Sequence, residues 1–324
     1  MHPDPGAPIR IGSRGSDLAL RQATEVAGRL RTLSAGLAVE HVAVQTRGDR
    51  VLDVPLASVG GKGLFTRELD DALLAGLIDL AVHSLKDVPT ACPDGLVLTV
   101  VLAREDPCDV LVAAPGTTLE TLAPGSRVGT SSLRRRAQLL ARRPDLNVLD
   151  ARGNVATRLV KLDRGEFDAL VLARAGLVRL GLADRIAQVI APDVIMPAVG
   201  QGALAAESRA ADARVNLLLT ALDHRPTRLA TLAERAFLAR LEGGCQVPIG
   251  AFGRWEDGTL DLAGIVADLQ GRSSVRGTES AAVECESDAA AAGTRLADRL
   301  LADGARAILA GVRAAFESGS GGLR

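Results

Sequence analysis

Residues 147–179 read NVLDARGNVATRLVKLDRGEFDALVLARAGLVR. Asn147–Ala151 is a short apolar strand, and Val155–Arg164 has the period of a helix. Asp168–Ala173 is a second strand, and Ala175–Ala187 is helical again. Strand alternating with helix is the mark of βαβ units and a parallel sheet. Ligands of such sheets bind where the strands end. Both strands here run into arginine: Arg152 after the first, Arg174 and Arg179 after the second.

The same alternation extends outward. Asp109–Ala113 and Arg127–Gly129 read as strands, with a helix over Ser132–Arg143, so an α/β domain spans about 103–200. Towards the N-terminus, strands are expected at Ile9–Ser13, Val39–Gln45 and Ile78–Ser84. Ser16 or Asp17 caps a helix to about Leu33, and a second helix covers Leu64–Leu77. Beyond 200 the texture changes. Helices at Arg214–Leu222 and Arg225–Leu241 precede strands at Val247–Phe252 and Leu260–Leu269 and one long alanine-rich helix near 288–316. The expected architecture is two α/β domains and a smaller α+β domain, with boundaries at 1–102, 103–200 and 221–324.

Composition narrows the function. A chain of 324 residues with 47% apolar residues can bury a large core. Five Phe, one Trp and no Tyr leave little material for stacking on nucleic-acid bases. A net charge of −1 gives no basic field for nucleic acid or membrane. Cys92, Cys108, Cys245 and Cys285 fall in no metal-ligand spacing, so no metal site is expected. Met1–Arg10 has three prolines and no apolar core of a signal peptide, and no 18-residue apolar run occurs, which implies a cytoplasmic protein.

Nearly every cation is arginine, since Lys62, Lys86 and Lys161 are the only lysines. High-GC coding accounts for the bias, but not for where the arginines stand. Gly12-Ser13-Arg14-Gly15-Ser16 joins a strand to a helix and offers open backbone N–H groups to an anion. Gly129-Thr130-Ser131-Ser132-Leu133-Arg134-Arg135-Arg136 puts three arginines in a first helical turn. The helix dipole opposes them there, so they call for an anion. Arg142 and Arg143 sit at the other end, where the dipole favours them. Arg152-Gly153-Asn154 opens a helix that carries Arg158. Arginine forks take carboxylates bidentately, so the ligand expected is a small polycarboxylate. Gly60-Gly61-Lys62-Gly63 lacks the Ser or Thr of a phosphate loop and reads as a glycine loop with one lysine. In His83-Ser84-Leu85-Lys86-Asp87-Val88-Pro89, Asp87 is one carboxylate amid many cations. It suits a group that stabilises a cationic intermediate. Cys245 sits beside two glycines, which leaves a small apolar filler and a reactive thiol both open.

Five stretches together resemble the porphobilinogen deaminase (hydroxymethylbilane synthase) family: HSLKDVPT (83–90), GTSSLRRR (129–136), ARGNVATRL (151–159), VGQGALAAE (199–207) and GGCQVPIG (243–250). The resemblance runs from about Arg10 to the final helix. It implies condensation of four porphobilinogen molecules with release of ammonia, in tetrapyrrole biosynthesis. It also implies two periplasmic-binding-protein-like lobes around a cleft and a smaller third domain, with residues 201–220 returning to the first lobe. A dipyrromethane cofactor is expected, joined by a thioether to Cys245, and Asp87 is the expected catalytic residue. Arg14, Ser16, Gln22, Lys62, Phe65, Ser84, Lys86, Thr130, Ser132, Arg134, Arg135, Arg152, Arg158 and Arg179 are expected to bind cofactor or substrate. Arg174 stands where the family has a small residue, so it is left out of the site, and Arg136 has no role assigned. The expected state is a monomer with no nucleic-acid or membrane partner. The alternative is a polyanion-binding protein of the periplasmic class without catalysis.

Overall fold

The computed structural model describes residues 7–34, 36–46, 48, 63–242 and 247–318. They fall into two compact units. The first takes the described residues up to 48, then 63–104 and Ala203–Arg228; the second takes Glu105–Gly202 and the described residues from Leu229 onward.

In the first unit the strands are β1 (Ile9–Arg14), β2 (Val39–Val44), β3 (Leu80–Ser84), β4 (Leu96–Val101) and β10 (Leu204–Arg209). They form one sheet in the order β2-β1-β3-β10-β4. The first three strands are mutually parallel, as βαβ alternation requires, but β10 is antiparallel to both of its neighbours. The expected parallel sheet is therefore mixed, because the chain re-enters this unit at residue 203 running the other way. One face packs on α1 (Asp17–Leu33), through Ile9, Ile11, Val26, Leu30, Leu80, Val82 and Leu204. The other face packs on α2 (Arg67–Leu74), through Leu69, Leu73, Ile78 and Ala81.

The second unit repeats the plan. Its strands β5 (Asp109–Val112), β6 (Arg127–Gly129), β7 (Asn147–Leu149), β8 (Ala169–Ala173) and β9 (Gln188–Ile190) lie in the order β7-β6-β8-β5-β9. Again three strands are parallel and one, β5, runs against both neighbours. The helices are α3 (Leu133–Arg142), α4 (Val155–Asp163) and α5 (Arg174–Arg179). The helix expected over 175–187 stops early because Gly181 takes a positive φ of 73°, the left-handed conformation that ends helices.

The rest of this unit is a three-stranded antiparallel sheet, β11 (Ile249–Glu256), β12 (Thr259–Ala267) and β13 (Ser274–Ala282). Helices α6 (Ala213–Ala221) and α7 (Arg225–Arg240) precede it in the chain, and α8 (Glu286–Leu300) and α9 (Arg306–Glu317) follow it. The single long helix expected near 288–316 is broken at Gly304, whose φ of 115° no helix tolerates. Phe237 of α7 is fully buried among Leu260, Leu262, Leu296 and Leu300. Strands β4, β9, β10 and β13 were not expected. The exposure of β13 alternates along its length with few large apolar residues, so its sequence carries no strand signal of its own. Among the described residues no helix is long and apolar enough to cross a membrane.

Helix α8 lies directly on α7. A Cβ on Gly293 would stand 2.1 Å from the Ala233 carbonyl oxygen and 2.9 Å from the Phe237 nitrogen. Both are backbone atoms that cannot yield alone. Gly293→Ala is therefore expected to cost about 1–3 kcal/mol, read as a lower midpoint in thermal melts. An unchanged midpoint would show that the helices separate freely.

Candidate active site

In the first unit the candidate residues sit at the carboxyl ends of parallel strands. Arg14 ends β1, and its guanidinium stacks on the Phe65 ring at 4.2 Å from the centroid. Ser16 caps α1, its hydroxyl accepting from the Ala19 N–H. Gln22, nearly two turns further on, is buried and donates to the Ser84 hydroxyl at 2.7 Å. Ser84 ends β3, and a single 3₁₀ turn, Leu85–Asp87, follows. Leu85 is 1% exposed, packs on Val100, Ala203 and Ala205, and donates its N–H to the Ala203 carbonyl. That buried plug fixes the turn, so Lys86 and Asp87 stand half-exposed on a rigid mount. A local sequence of strand, plug and turn thus presents one carboxylate and one ammonium at the carboxyl end of the central strand.

In the second unit the site residues again follow strand ends. Thr130 and Ser132 follow β6. The Thr130 hydroxyl accepts from the Ser132 N–H, and Ser132 caps α3. Arg152 follows β7 and is half-buried; burial lowers its pKa, opposed by the nearby Asp150 carboxylate. Asp150 itself is pushed up by burial, against the Ser131 hydroxyl and the charges of Arg152, Arg136 and Arg158. Arg158 on α4 donates to the Gly153 carbonyl at 2.9 Å, and Arg179 at the end of α5 donates to the Gly202 carbonyl at 3.1 Å. Arg136, without an assigned role, donates to the Val148 carbonyl. Arg143 donates to the carbonyls of Leu119, Glu120 and Leu122 and pairs with Asp145, so it braces the loop before β6. Arg174 faces Glu105 and Asp106.

The first-turn arginines of α3 turn out to have an anion already. Asp109, at the start of β5, is fully buried. Its Oδ2 accepts from Arg134 at 2.7 Å, and its Oδ1 accepts from Arg135 at 2.8 Å and from Gln201 at 2.8 Å. Arg134 and Arg135 are 5% and 6% exposed. Burial alone would raise the Asp109 pKa, but the two guanidinium groups outweigh it and hold the carboxyl far below the usual range. The expectation of an anion against the helix dipole is met, and the anion is supplied by the protein. Sequence reading missed Asp109 and Gln201. The available signal was an acidic residue opening an otherwise apolar strand, DVLV, which burial permits only with a cationic partner. With one carboxylate against two guanidinium groups, the network keeps a net positive charge.

Lys62 and Cys245 lie outside the described residues. The two units each hold part of the expected set: Arg14, Ser16, Gln22, Phe65, Ser84, Lys86 and Asp87 in the first, and Thr130, Ser132, Arg134, Arg135, Arg152, Arg158 and Arg179 in the second. Among the described residues, no group of three or more His, Cys, Asp or Glu side chains could hold a metal ion.

Removing the Asp109 charge would leave two buried cations uncompensated. Asp109→Asn is expected to lose about 3–5 kcal/mol in chemical denaturation at pH 7. A depressed folded pKa contributes stability above the unfolded carboxyl value of about 3.9, lost only as pH falls through the folded value. The difference between wild type and variant should therefore hold steady from pH 5 to 8 and shrink only in strong acid. A difference that vanished by pH 5 would contradict the buried pair.

Residues 9–217 match the model of the porphobilinogen deaminase dipyromethane cofactor binding domain, and residues 228–302 match that of the porphobilinogen deaminase C-terminal domain. A porphobilinogen deaminase of Desulforudis audaxviator is 54% identical over 94% of this chain and 98% of its own length. One from Syntrophotalea carbinolica is 52% identical over 93% of this chain and 95% of its own. Among solved structures, the periplasmic aliphatic sulphonate binding protein SsuA of Escherichia coli is similar with a TM-score of 0.37 and 18% identity, over 72% of this chain and 70% of that one.

Proposed function

This chain belongs to the porphobilinogen deaminase family, and on that premise we propose how its residues divide the work. The activity is that of a hydroxymethylbilane synthase, a transferase that joins four porphobilinogen molecules head to tail and releases ammonia. Its cofactor is the dipyrromethane for which the matched domain is described.

Asp87 carries the reaction. Its carboxylate holds the ammonium of incoming porphobilinogen, accepts the developing positive charge on that pyrrole as ammonia leaves, and steadies the cation until a new carbon–carbon bond forms. The observation behind this is the pinned Leu85–Asp87 turn: Leu85 is locked in the core and the next two residues are presented at the strand end. Ser84, positioned by Gln22, and Lys86 hold acidic groups beside it.

The chain's donors suit a group rich in carboxylates. Arg14 and Arg152 present guanidinium groups at strand ends, Arg158 and Arg179 present theirs from α4 and α5, and Arg136 keeps a buried Nε without a hydrogen-bond partner. Arg134 and Arg135 back them with the net positive charge of the Asp109 network. Ser16, Thr130 and Ser132 add backbone order and hydroxyl groups, and Lys62 and Phe65 complete the set of cofactor- or substrate-binding residues. Cys245 is the attachment point of the dipyrromethane through a thioether. When bound, that group supplies the nucleophilic pyrrole carbon on which the product is built. The protein works as a cytoplasmic monomer without nucleic-acid or membrane partners.

Two measurements test this. Asp87→Asn should lower turnover by about 10²- to 10³-fold, and near-full turnover in the variant would sink the role of Asp87. Intact-mass spectrometry should give a chain heavier than its sequence by two linked pyrrole units, with the increment gone in Cys245→Ser. An active, unmodified chain would refute the attachment.

A further inference from the structure

Ser13 is fully buried, yet its hydroxyl has no part in the reaction as proposed. It stands on β1 immediately before Arg14. Residues two apart along a strand share a face, so Ser13 lies with Ile11 on the side packed against α1. His41 of the edge strand β2 is paired with Ile11 and reaches the same face from the exposed rim of the sheet. Two short contacts meet at the Ser13 Oγ. The His41 Nε2 is 2.8 Å away, and the Oγ donates to the Arg14 carbonyl oxygen at 3.0 Å.

A hydroxyl has one proton to give, and a carbonyl oxygen can only accept. With the Ser13 proton on the Arg14 carbonyl, the bond to His41 takes its proton from the imidazole. The reverse assignment, with Ser13 donating to a bare Nε2, leaves two oxygens facing each other at 3.0 Å with no proton between them, at a side chain closed to water. That arrangement carries the cost of an unmade buried hydrogen bond. Partial burial lowers the His41 pKa from its ordinary value, so the ring is neutral at pH 7. The hydrogen on Nε2 is then a matter of tautomer and not of charge.

The consequence lies at the next peptide. The Arg14–Gly15 bond is trans, and in a planar trans peptide the N–H points opposite to the C=O. Turning the Arg14 carbonyl in towards Ser13 turns the Gly15 N–H away from it. Gly15 is exposed, a Cβ on it would meet no atom within 4 Å, and among the described residues its N–H has no hydrogen-bond partner. We propose that His41 is a positioning residue: as an Nε2 donor it holds the Ser13 proton on the Arg14 carbonyl, and so aims the Gly15 N–H at the carboxylate that Arg14 binds. An exposed side chain on the edge strand thereby sets one donor of the loop through a buried hydroxyl.

This role rests on the reading of Arg14 as a ligand of cofactor or substrate carboxylates, and the test separates the two. In holoenzyme isotope-labelled at its histidines, NMR at pH 8 should show one imidazole, identified by its loss in His41→Gln, with hydrogen on Nε2. Its proton signal should survive exchange with water and disappear in Ser13→Ala. A bare Nε2, or a signal indifferent to Ser13→Ala, overturns the relay. Kinetics read its use. His41→Leu should raise KM for porphobilinogen about two- to tenfold, the worth of one hydrogen bond, with kcat little changed, and Ser13→Ala should do the same. The two changes combined should be no worse than Ser13→Ala alone, since both break one relay. His41→Gln, which offers an amide N–H in place of the imidazole one, should bring KM most of the way back. Equal KM in wild type and His41→Leu refutes the positioning role, because this exposed residue can be replaced without loss of the core. Additive effects in the double variant refute the route through Ser13. Arg14→Gln with unchanged KM would instead overturn the reading of Arg14, whatever the tautomer.

Discussion

The second unit is organised around one buried charge. Asp109, at the start of an antiparallel strand, binds Arg134, Arg135 and Gln201 simultaneously. Burying ions costs several kcal/mol each unless geometry and extra hydrogen bonds compensate. Compensation here is broad: Arg134 also donates to the Met196 carbonyl, Arg135 to the Val171 carbonyl, and Gln201 to the Pro107 carbonyl. Helix α3, strands β5 and β8 and the segment 196–201 are thereby tied at one point. Gln138 continues the chain of bonds, exchanging hydrogen bonds with the Met196 backbone and accepting from Arg276. The three-stranded sheet is thus joined to the five-stranded one by polar contacts, alongside the apolar packing of Ala137, Met196, Ile265 and Ala267.

That constraint sets the direction of α3 and with it the hydroxyl-bearing loop at its N-terminus. The first unit solves the same problem differently. There an apolar plug, Leu85, and a neutral hydrogen bond between Gln22 and Ser84 fix the turn that bears Asp87. The contrast follows from the chemistry. On the proposed division of roles, a unit that attracts carboxylates can hold surplus guanidinium groups in its interior, whereas a turn that presents a single carboxylate is best mounted on groups that do not compete for it.

Both five-stranded sheets have the same order, three parallel strands followed by one antiparallel strand and an edge strand. In each, the antiparallel strand comes from the segment that enters from the other unit's part of the chain. The parallel strands were legible in the sequence because short apolar runs alternate with helical periods. The antiparallel strands were less so. For β5 the apolar run DVLV gave a strand without its direction, and β10, LAAESR, carries too few large apolar residues to be noticed. Much of the candidate site was legible for a related reason: arginines, hydroxyls and Asp87 cluster in short loops directly after strands, so their neighbours in space are also neighbours in sequence. Asp109 lay 25 residues from Arg134, so nothing local marked that pair.

The sequence by itself determined the βαβ alternation, the strand ends that carry arginine, the turn that carries Asp87 and the membership of a family, because each of these is written in contiguous residues. Only the tertiary structure decided which arginines are already neutralised from within. Arg134 and Arg135 looked in sequence like the strongest claimants to an external anion, ahead of Arg152, Arg158 and Arg179. Folding brings a carboxylate to the first two and backbone carbonyls to Arg158 and Arg179. A guanidinium looks the same in sequence wherever it stands, and its remaining capacity to bind is fixed by the partner that burial places beside it.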